Sequence, residues 1–465
     1  MKTNPLQLAL MSLGAAAVIA IAYVGVKADR LIRIGAGYKA KIACSEIFLA
    51  GRDADLVIRT EFEGIDPMMA QIKVTIDDAD RTATAAGPLG LGRARAVYRD
   101  GYGCTLANAG RIAPLPEAPA PAEADPWPEA PPVSGQALSY VDYAALDHAL
   151  AKAFEENTLS HRALLVVVDG KIVAERYAEG FSKATPFLSW SMAKSVTATA
   201  VGAAAMRGLL DVSDPAPVPE WANADPRGKI TWNDLLHMQS GLKFGEDYDV
   251  TRSDVNRMLF EMADAGALAA SRPAIHAPGE HWYYSSGTTN LVSKTLRQVL
   301  EANGVDYHGF FREAIFDPIG AGSVVVEPDA AGAYIGSSFI YATARDWARL
   351  GQLYLNDGVW NGERLLPEGW ADYVATPSGA SDGEYGAHFW LNNDGANGRA
   401  RDIPGLPEEV YYFAGHEGQY VVIVPDKRMV IVRTGMTRGQ YAMPVVAPVI
   451  KELYDAVGYA PDEAE

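Results

Sequence analysis

Residues 195–206 (Ser-Val-Thr-Ala-Thr-Ala-Val-Gly-Ala-Ala-Ala-Met) are small and almost wholly apolar, a pattern that predicts a helix packed on all sides. Residues 163–168 (Ala-Leu-Leu-Val-Val-Val) and 171–177 flank Asp169-Gly170, which predicts a hairpin with a tight turn. Residues 420–424 and 429–434 flank Pro425-Asp426-Lys427-Arg428 and predict a second hairpin near the C-terminus. Helix-like spacing marks residues 143–154, 288–300 and 445–457. One hairpin near each end of this region, with helices between, suits a single antiparallel sheet closed by both chain ends.

The chain before residue 138 reads differently. Residues 6–26 are apolar except for Gln7 and Ser12, long enough to cross a bilayer, which takes roughly 20 residues. We read residues 1–28 as a transmembrane anchor or a signal peptide, with Val26-Lys27-Ala28 as a small-residue cleavage site. The charge flanks conflict with export. Only Lys2 precedes the run, whereas Lys27, Arg30, Arg33, Lys39 and Lys41 follow it, which would leave the bulk of the chain in the cytoplasm. Alternation at residues 71–76 and 94–99 predicts a small β-rich domain over residues 29–111, either a spacer or a cover over the active site. Residues 112–137 repeat Pro and Ala, so they lack a backbone donor ladder and form a semi-rigid linker. Residues 138–465 hold the remaining elements.

Composition narrows the partners. The 465 residues carry 40 Lys+Arg against 58 Asp+Glu, a net charge of -18, which disfavours nucleic acid and anionic membrane surfaces. No Cys/His cluster with metal spacing and no phosphate-binding Gly loop occurs, so neither a metal nor a cofactor is expected. Nothing points to a particular protein partner. The two cysteines, Cys44 and Cys104, are a disulfide if the domain is exported and two buried thiols if it is not. Cys44 lacks a preceding lipobox, which argues against a lipoprotein.

The chemistry concentrates at Ser191-Met192-Ala193-Lys194, which opens the small-residue helix. A Lys one turn after a Ser faces it, and burial favours the neutral amine that can take the hydroxyl proton. The helix N-terminus adds donors for an oxyanion. Ser-x-x-Lys is a loose pattern, expected by chance about once or twice in such a length. A second copy, Ser240-Gly241-Leu242-Lys243, contains a helix-breaking Gly and reads as a helix end and loop. Gly379-Ala380-Ser381-Asp382-Gly383 fits a nucleophile elbow but lacks the preceding strand and following helix that an elbow needs.

Two later boxes complete a set: Tyr284-Ser285-Ser286 ahead of a helix, and Gly415-His416-Glu417-Gly418-Gln419 opening a strand. With these and residues 344–354 (Ala-Arg-Asp-Trp-Ala-Arg-Leu-Gly-Gln-Leu-Tyr), residues 138–458 resemble the serine β-lactamase and penicillin-binding-protein superfamily. The likeness is to its class C-like branch of esterases and 6-aminohexanoate-dimer hydrolases. The resemblance implies an α/β (α+β) fold, with a five-stranded antiparallel sheet flanked by helices, a helical subdomain, and the active site in the cleft between. It implies Ser191 as nucleophile, Lys194 and Tyr284 sharing general-base and general-acid work, and the backbone N–H groups of Ser191 and Gln419 as the oxyanion hole. Gly418 would let the strand approach the substrate. Relatives of this kind are commonly exported, which favours the periplasmic side, tethered to the inner membrane, and the disulfide.

The departures bear on substrate. Ser286 stands where β-lactamases and cell-wall peptidases usually carry Asn, and His416 where they usually carry Lys. A hydroxyl offers one donor and less reach than an amide, and His is largely neutral at pH 7 where Lys is a cation. Both changes weaken the case for β-lactams and D-alanyl peptides and leave a small-molecule ester or linear amide. Arg433, in Arg433-Thr434-Gly435, is a candidate cation at the rim of the cleft. The expectation is a serine hydrolase working through an acyl-enzyme. The alternatives are a penicillin-binding D-alanyl peptidase or β-lactamase, and a non-catalytic binding module on the same fold.

Overall fold

The computed structural model describes residues 5–65, 67–107, 110–121, 127, 137–156, 158–222, 225–438 and 442–461; for residues 5–14, 16–22 and 24 it describes the backbone alone. The two hairpins meet as expected. Strand His161–Val168 pairs with Lys171–Tyr177 on one side and with Met429–Gly435 on the other. The sheet continues through Gln419–Val424 and Tyr411–Gly415 to a two-residue edge strand, Trp390–Leu391, all antiparallel. Five long strands and a short edge therefore make the sheet. Asp169 and Gly170 both take positive φ, as a tight hairpin turn requires. Strand Tyr411–Gly415 was not expected from the sequence.

Alternation divides the core between the two faces. Ala163, Leu165 and Val167 pack with the small-residue helix Met192–Met206. Leu164, Val166 and Val168 pack with helices Tyr143–Glu156 and Met443–Asp455 on the other face. The small side chains of Met192–Met206 allow close neighbours: a Cβ at Gly202 would sit 2.5 Å from the Trp370 ring. Helix Ser286–Ala302, begun by a Ser285 side-chain cap on Thr288, packs beside it in the helical half of the molecule.

Residues 29–111 are not simply β-rich. The N-terminal helix Pro5–Cys44 runs into this unit and packs along the four-stranded sheet Lys73–Asp77, Thr82–Ala86, Ala94–Arg99 and Gly103–Leu106. Cys44, at the end of the helix, is disulfide-bonded to Cys104 in the last strand, with Cα atoms 6.0 Å apart. Alternation exposed two of the four strands to sequence reading, whereas the helix was read only as an anchor. The anchor call falls largely on side chains outside the described residues. Among the described residues no helix is long and apolar enough to cross a membrane.

The proline-rich stretch lies on the domain where it is described. Ala113 N–H donates to Ala330 O, and Leu115 and Ala118 pack onto the main core. Trp127 donates to Gly170 O, meets Trp360 edge-on at 6.4 Å, and takes the Arg349 guanidinium over its ring at 4.9 Å.

Candidate active site

Ser191 is the residue just before helix Met192–Met206, so its backbone N–H lies at the positive end of the helix. Trp190, immediately before it, holds φ at +44°, a conformation that costs a bulky residue about 1–3 kcal/mol and needs surrounding structure to enforce it. Lys194 follows one turn later, 1 % exposed, with Nζ 3.0 Å from Ser191 Oγ, 3.0 Å from Ser286 Oγ and 3.2 Å from Ser337 O. Ser337 is itself fixed by Asn290, whose amide gives to Ser337 Oγ and takes from Ser337 N–H. Burial lowers the Lys194 pKa to about 8, while the charge of Glu246 pulls it upward. About a tenth of molecules at pH 7 therefore carry the neutral amine.

Tyr284 comes from the loop ahead of helix Ser286–Ala302 and packs against Tyr385 and Trp390. Its ring lies 4.7 Å from Lys194 Nζ. Burial and the nearby Glu246 charge push the phenol pKa upward, so it is protonated at neutral pH. Ser191, Tyr284 and Ser286 thus all gather around the Lys194 amine.

The structure adds Glu246 and Tyr248, which sequence reasoning missed. Glu246 Oε1 accepts from Ser286 Oγ at 2.5 Å and from Tyr248 hydroxyl at 3.0 Å, and Oε2 accepts from Ser286 N–H at 2.8 Å. Burial raises the Glu246 pKa, opposed by Lys194 and by these donors. Tyr248 shows 40 % of its ring surface to solvent, while its hydroxyl points inward to this cluster. Both lie in an irregular loop, Gly245-Glu246-Asp247-Tyr248-Asp249, where no periodicity marks a position as inward. The only available signal was an acidic, aromatic loop following the decoy Ser240–Lys243 pair.

His416 reaches the same cleft. Its ring stacks on Tyr248 at 5.8 Å and meets Trp190 edge-on at 5.5 Å. His416 is exposed beside these two rings, and desolvation lowers its pKa. A neutral imidazole there is no substitute for a permanent cation.

Other calls move. Arg433 is no rim cation: it is fully buried and donates to the carbonyls of Leu159, Glu417 and Gly418, to Thr437 Oγ1 and to His161 Nδ1. Gly418 has φ +84°, and a Cβ there would lie 2.2 Å from Arg433 Nη1, so Arg433 is what demands a glycine. The close approach to the segment before Ser191 belongs to Gly415, where a Cβ would lie 2.1 Å from Ser189 O. Gln419 lies across the hairpin from Gly415, its side chain tying His416 O to Gly435. The two decoys stay apart from this site. Ser381 is buried in a turn with its hydroxyl given to Ser378 O and Tyr385 O, and Lys243 is exposed while Ser240 is buried. Among the described residues no group of three or more His, Cys, Asp or Glu side chains could hold a metal ion.

The family model described as Beta-lactamase matches residues 147–447, more than half of the chain. The chain belongs to that family. This β-lactamase-family protein is also similar to a 6-aminohexanoate-dimer hydrolase of Paenarthrobacter ureafaciens, 28 % identical over 224 residues. The match covers 46 % of this chain and spans only 56 % of that relative's length. Two solved structures share the fold: a family VIII carboxylesterase (TM-score 0.54, 18 % identity, 69 % of this chain and 99 % of that one) and a penicillin-binding protein homologue from Caulobacter crescentus (TM-score 0.54, 17 % identity, 69 % and 99 %). The chain is thus a β-lactamase-fold serine hydrolase family member whose neighbours include an esterase and an amide hydrolase.

Proposed function

We propose that this protein cleaves an ester or linear amide through an acyl-enzyme on Ser191. The observation that carries the reading is the placement of Lys194 Nζ 3.0 Å from Ser191 Oγ, with the Tyr284 ring 4.7 Å from the same amine. Neutral Lys194 takes the Ser191 proton as the oxygen attacks the carbonyl carbon. The tetrahedral oxyanion is held by the Ser191 N–H and by a backbone N–H of the His416–Gln419 turn. Tyr284, protonated, hands its proton to the departing alkoxide or amine and recovers one from Lys194. Water then enters, gives its proton back through the same pair, and releases the acid.

The substrate class follows from what surrounds the nucleophile. The Ser286 hydroxyl is already engaged by Glu246 and Lys194, which leaves it little to offer a β-lactam or peptide amide. His416 supports no permanent cation for a substrate carboxylate. The aromatic rings of Tyr248, Tyr284 and Trp390 beside the site suit an uncharged acyl group. The bonded Cys44–Cys104 pair supports an oxidising, exported location.

The test is fluorophosphonate labelling with mapping of the modified residue, followed by a panel of p-nitrophenyl esters, linear amides and a labelled penicillin. Labelling at Ser191, lost in Ser191→Ala along with ester turnover, is expected. Retained turnover in that variant would eliminate the assignment, and a stable penicillin adduct would favour the peptidase alternative.

A further inference from the structure

The matched family region begins at residue 147, yet the unit before it reaches three sides of the cleft. Tyr38, half-buried on the N-terminal helix, stacks on Trp190 with planes 7° apart and centroids at 6.3 Å. Trp190 is the strained residue directly before Ser191, and its other ring neighbours are Phe339 and His416. Tyr38 also meets Phe260 edge-on at 5.4 Å, and one residue earlier a Cβ on Gly37 would lie 2.3 Å from Phe260 O. Phe260 ends helix Asp254–Phe260, whose Asn256 amide donates to Tyr248 O and Val250 O and so fixes the Tyr248 loop.

The third edge is held through charge. Glu417, at φ +60° in the His416–Gly418 turn, accepts from Arg438 Nε at 2.7 Å. Arg438 is in turn held by the carbonyls of Glu61 and Glu63 in the N-terminal unit. Behind these contacts the helix is pinned to the catalytic region by the buried Lys41–Glu327 ion pair, with Ser45 Oγ 2.8 Å from the same carboxylate, and to its own sheet by Cys44–Cys104.

We propose that the N-terminal unit is a clamp for the active site, in which Tyr38 is the positioning residue that keeps Trp190, and through it the Ser191 oxygen and N–H, in the reactive geometry. The inference rests on the Ser191 hydrolase reading for its catalytic consequence, and on ring packing alone for its structural one. A tyrosine whose ring seats a strained residue acts on orientation, so its removal lowers turnover more than substrate affinity. The ring rather than the hydroxyl carries the effect, because the stack and the edge contact are made by the ring faces.

The experiment uses the full chain with Tyr38→Phe, Tyr38→Leu and Tyr38→Ala, reading kcat and KM on a p-nitrophenyl ester and hydrogen–deuterium exchange by mass spectrometry. Tyr38→Ala is expected to lower kcat by about 10- to 100-fold with KM within about threefold, as loss of orientation does. Exchange should quicken at residues 187–192 and 415–419 and stay unchanged in strands 161–177. Tyr38→Phe should restore both readouts. If Tyr38→Ala does not fold, Tyr38→Leu, which keeps apolar bulk without a ring, is read in its place. Wild-type kcat and exchange in the ring-less variant would overturn the clamp, as would an equal deficit in Tyr38→Phe. A wild-type protein inactive on every ester and amide would instead remove the hydrolase reading, and the exchange pattern would still decide whether Tyr38 seats Trp190.

Discussion

Glu246→Gln tests the electrostatics of the site. The carboxylate reaches Lys194 through the Ser286 hydroxyl by legs of 2.5 Å and 3.0 Å, so the two charges lie within about 5.5 Å. At an effective dielectric constant of about 20, opposite unit charges at that distance attract by about 3 kcal/mol, or roughly two pH units on the lysine. Burial raises the Glu246 pKa, which works against the charged form and so against this attraction. The sign is fixed: a carboxylate favours the ammonium and raises the Lys194 pKa, so its removal lowers a value that now stands near 8. Glutamine keeps an acceptor for Ser286 and changes little in shape. In wild type, kcat/KM should rise with pH through about 8 as Lys194 becomes neutral. In Glu246→Gln that limb should move to lower pH by about one to two units. The assay is the pH dependence of p-nitrophenyl ester hydrolysis between pH 5 and 10. An unmoved limb, or one displaced upward, would refute Lys194 as the base or Glu246 as its electrostatic partner.

Tyr284→Phe removes the phenol while leaving the ring between Tyr385 and Trp390; turnover should fall by about 100-fold or more, with thermal stability close to wild type. Gly415→Ala would press a methyl group onto Ser189 O, so a loss of about 1–3 kcal/mol in denaturant unfolding and a sharp fall in activity are expected. Cys44→Ala with Cys104→Ala should cost about 2–4 kcal/mol of stability, seen as a lower Tm in non-reducing buffer, and the difference from wild type should vanish once wild type is fully reduced.

What could be read from the sequence follows from where regular periodicity operates. The hairpins at 161–177 and 419–435 and the helix after Ser191 announce themselves because side chains repeat with the element's own period. Ser191, Lys194, Tyr284 and Ser286 sit at starts of such elements, so their convergence was foreseeable. Glu246 and Tyr248 were not, since their positions are set by long-range hydrogen bonds to Ser286 in a loop without a period. Arg433 misled because its alternation on the strand does not reveal that three backbone carbonyls wait for its guanidinium. Gly418 misled for the same reason, its neighbour being Arg433 and not a ligand. The N-terminal helix was hidden inside an apolar run that also satisfies the length rule for a bilayer.

Trp127 fastens its point of the proline-rich strip to the enzyme region, its indole against Trp360 and its N–H given to Gly170 O. A shortened gene product starting at residue 138 would bare that indole's seat and the places now covered by Leu115 and Ala118. Such a fragment would be sticky in solution, and poor behaviour of the isolated enzyme region would then speak of an uncovered flank and not of a broken fold.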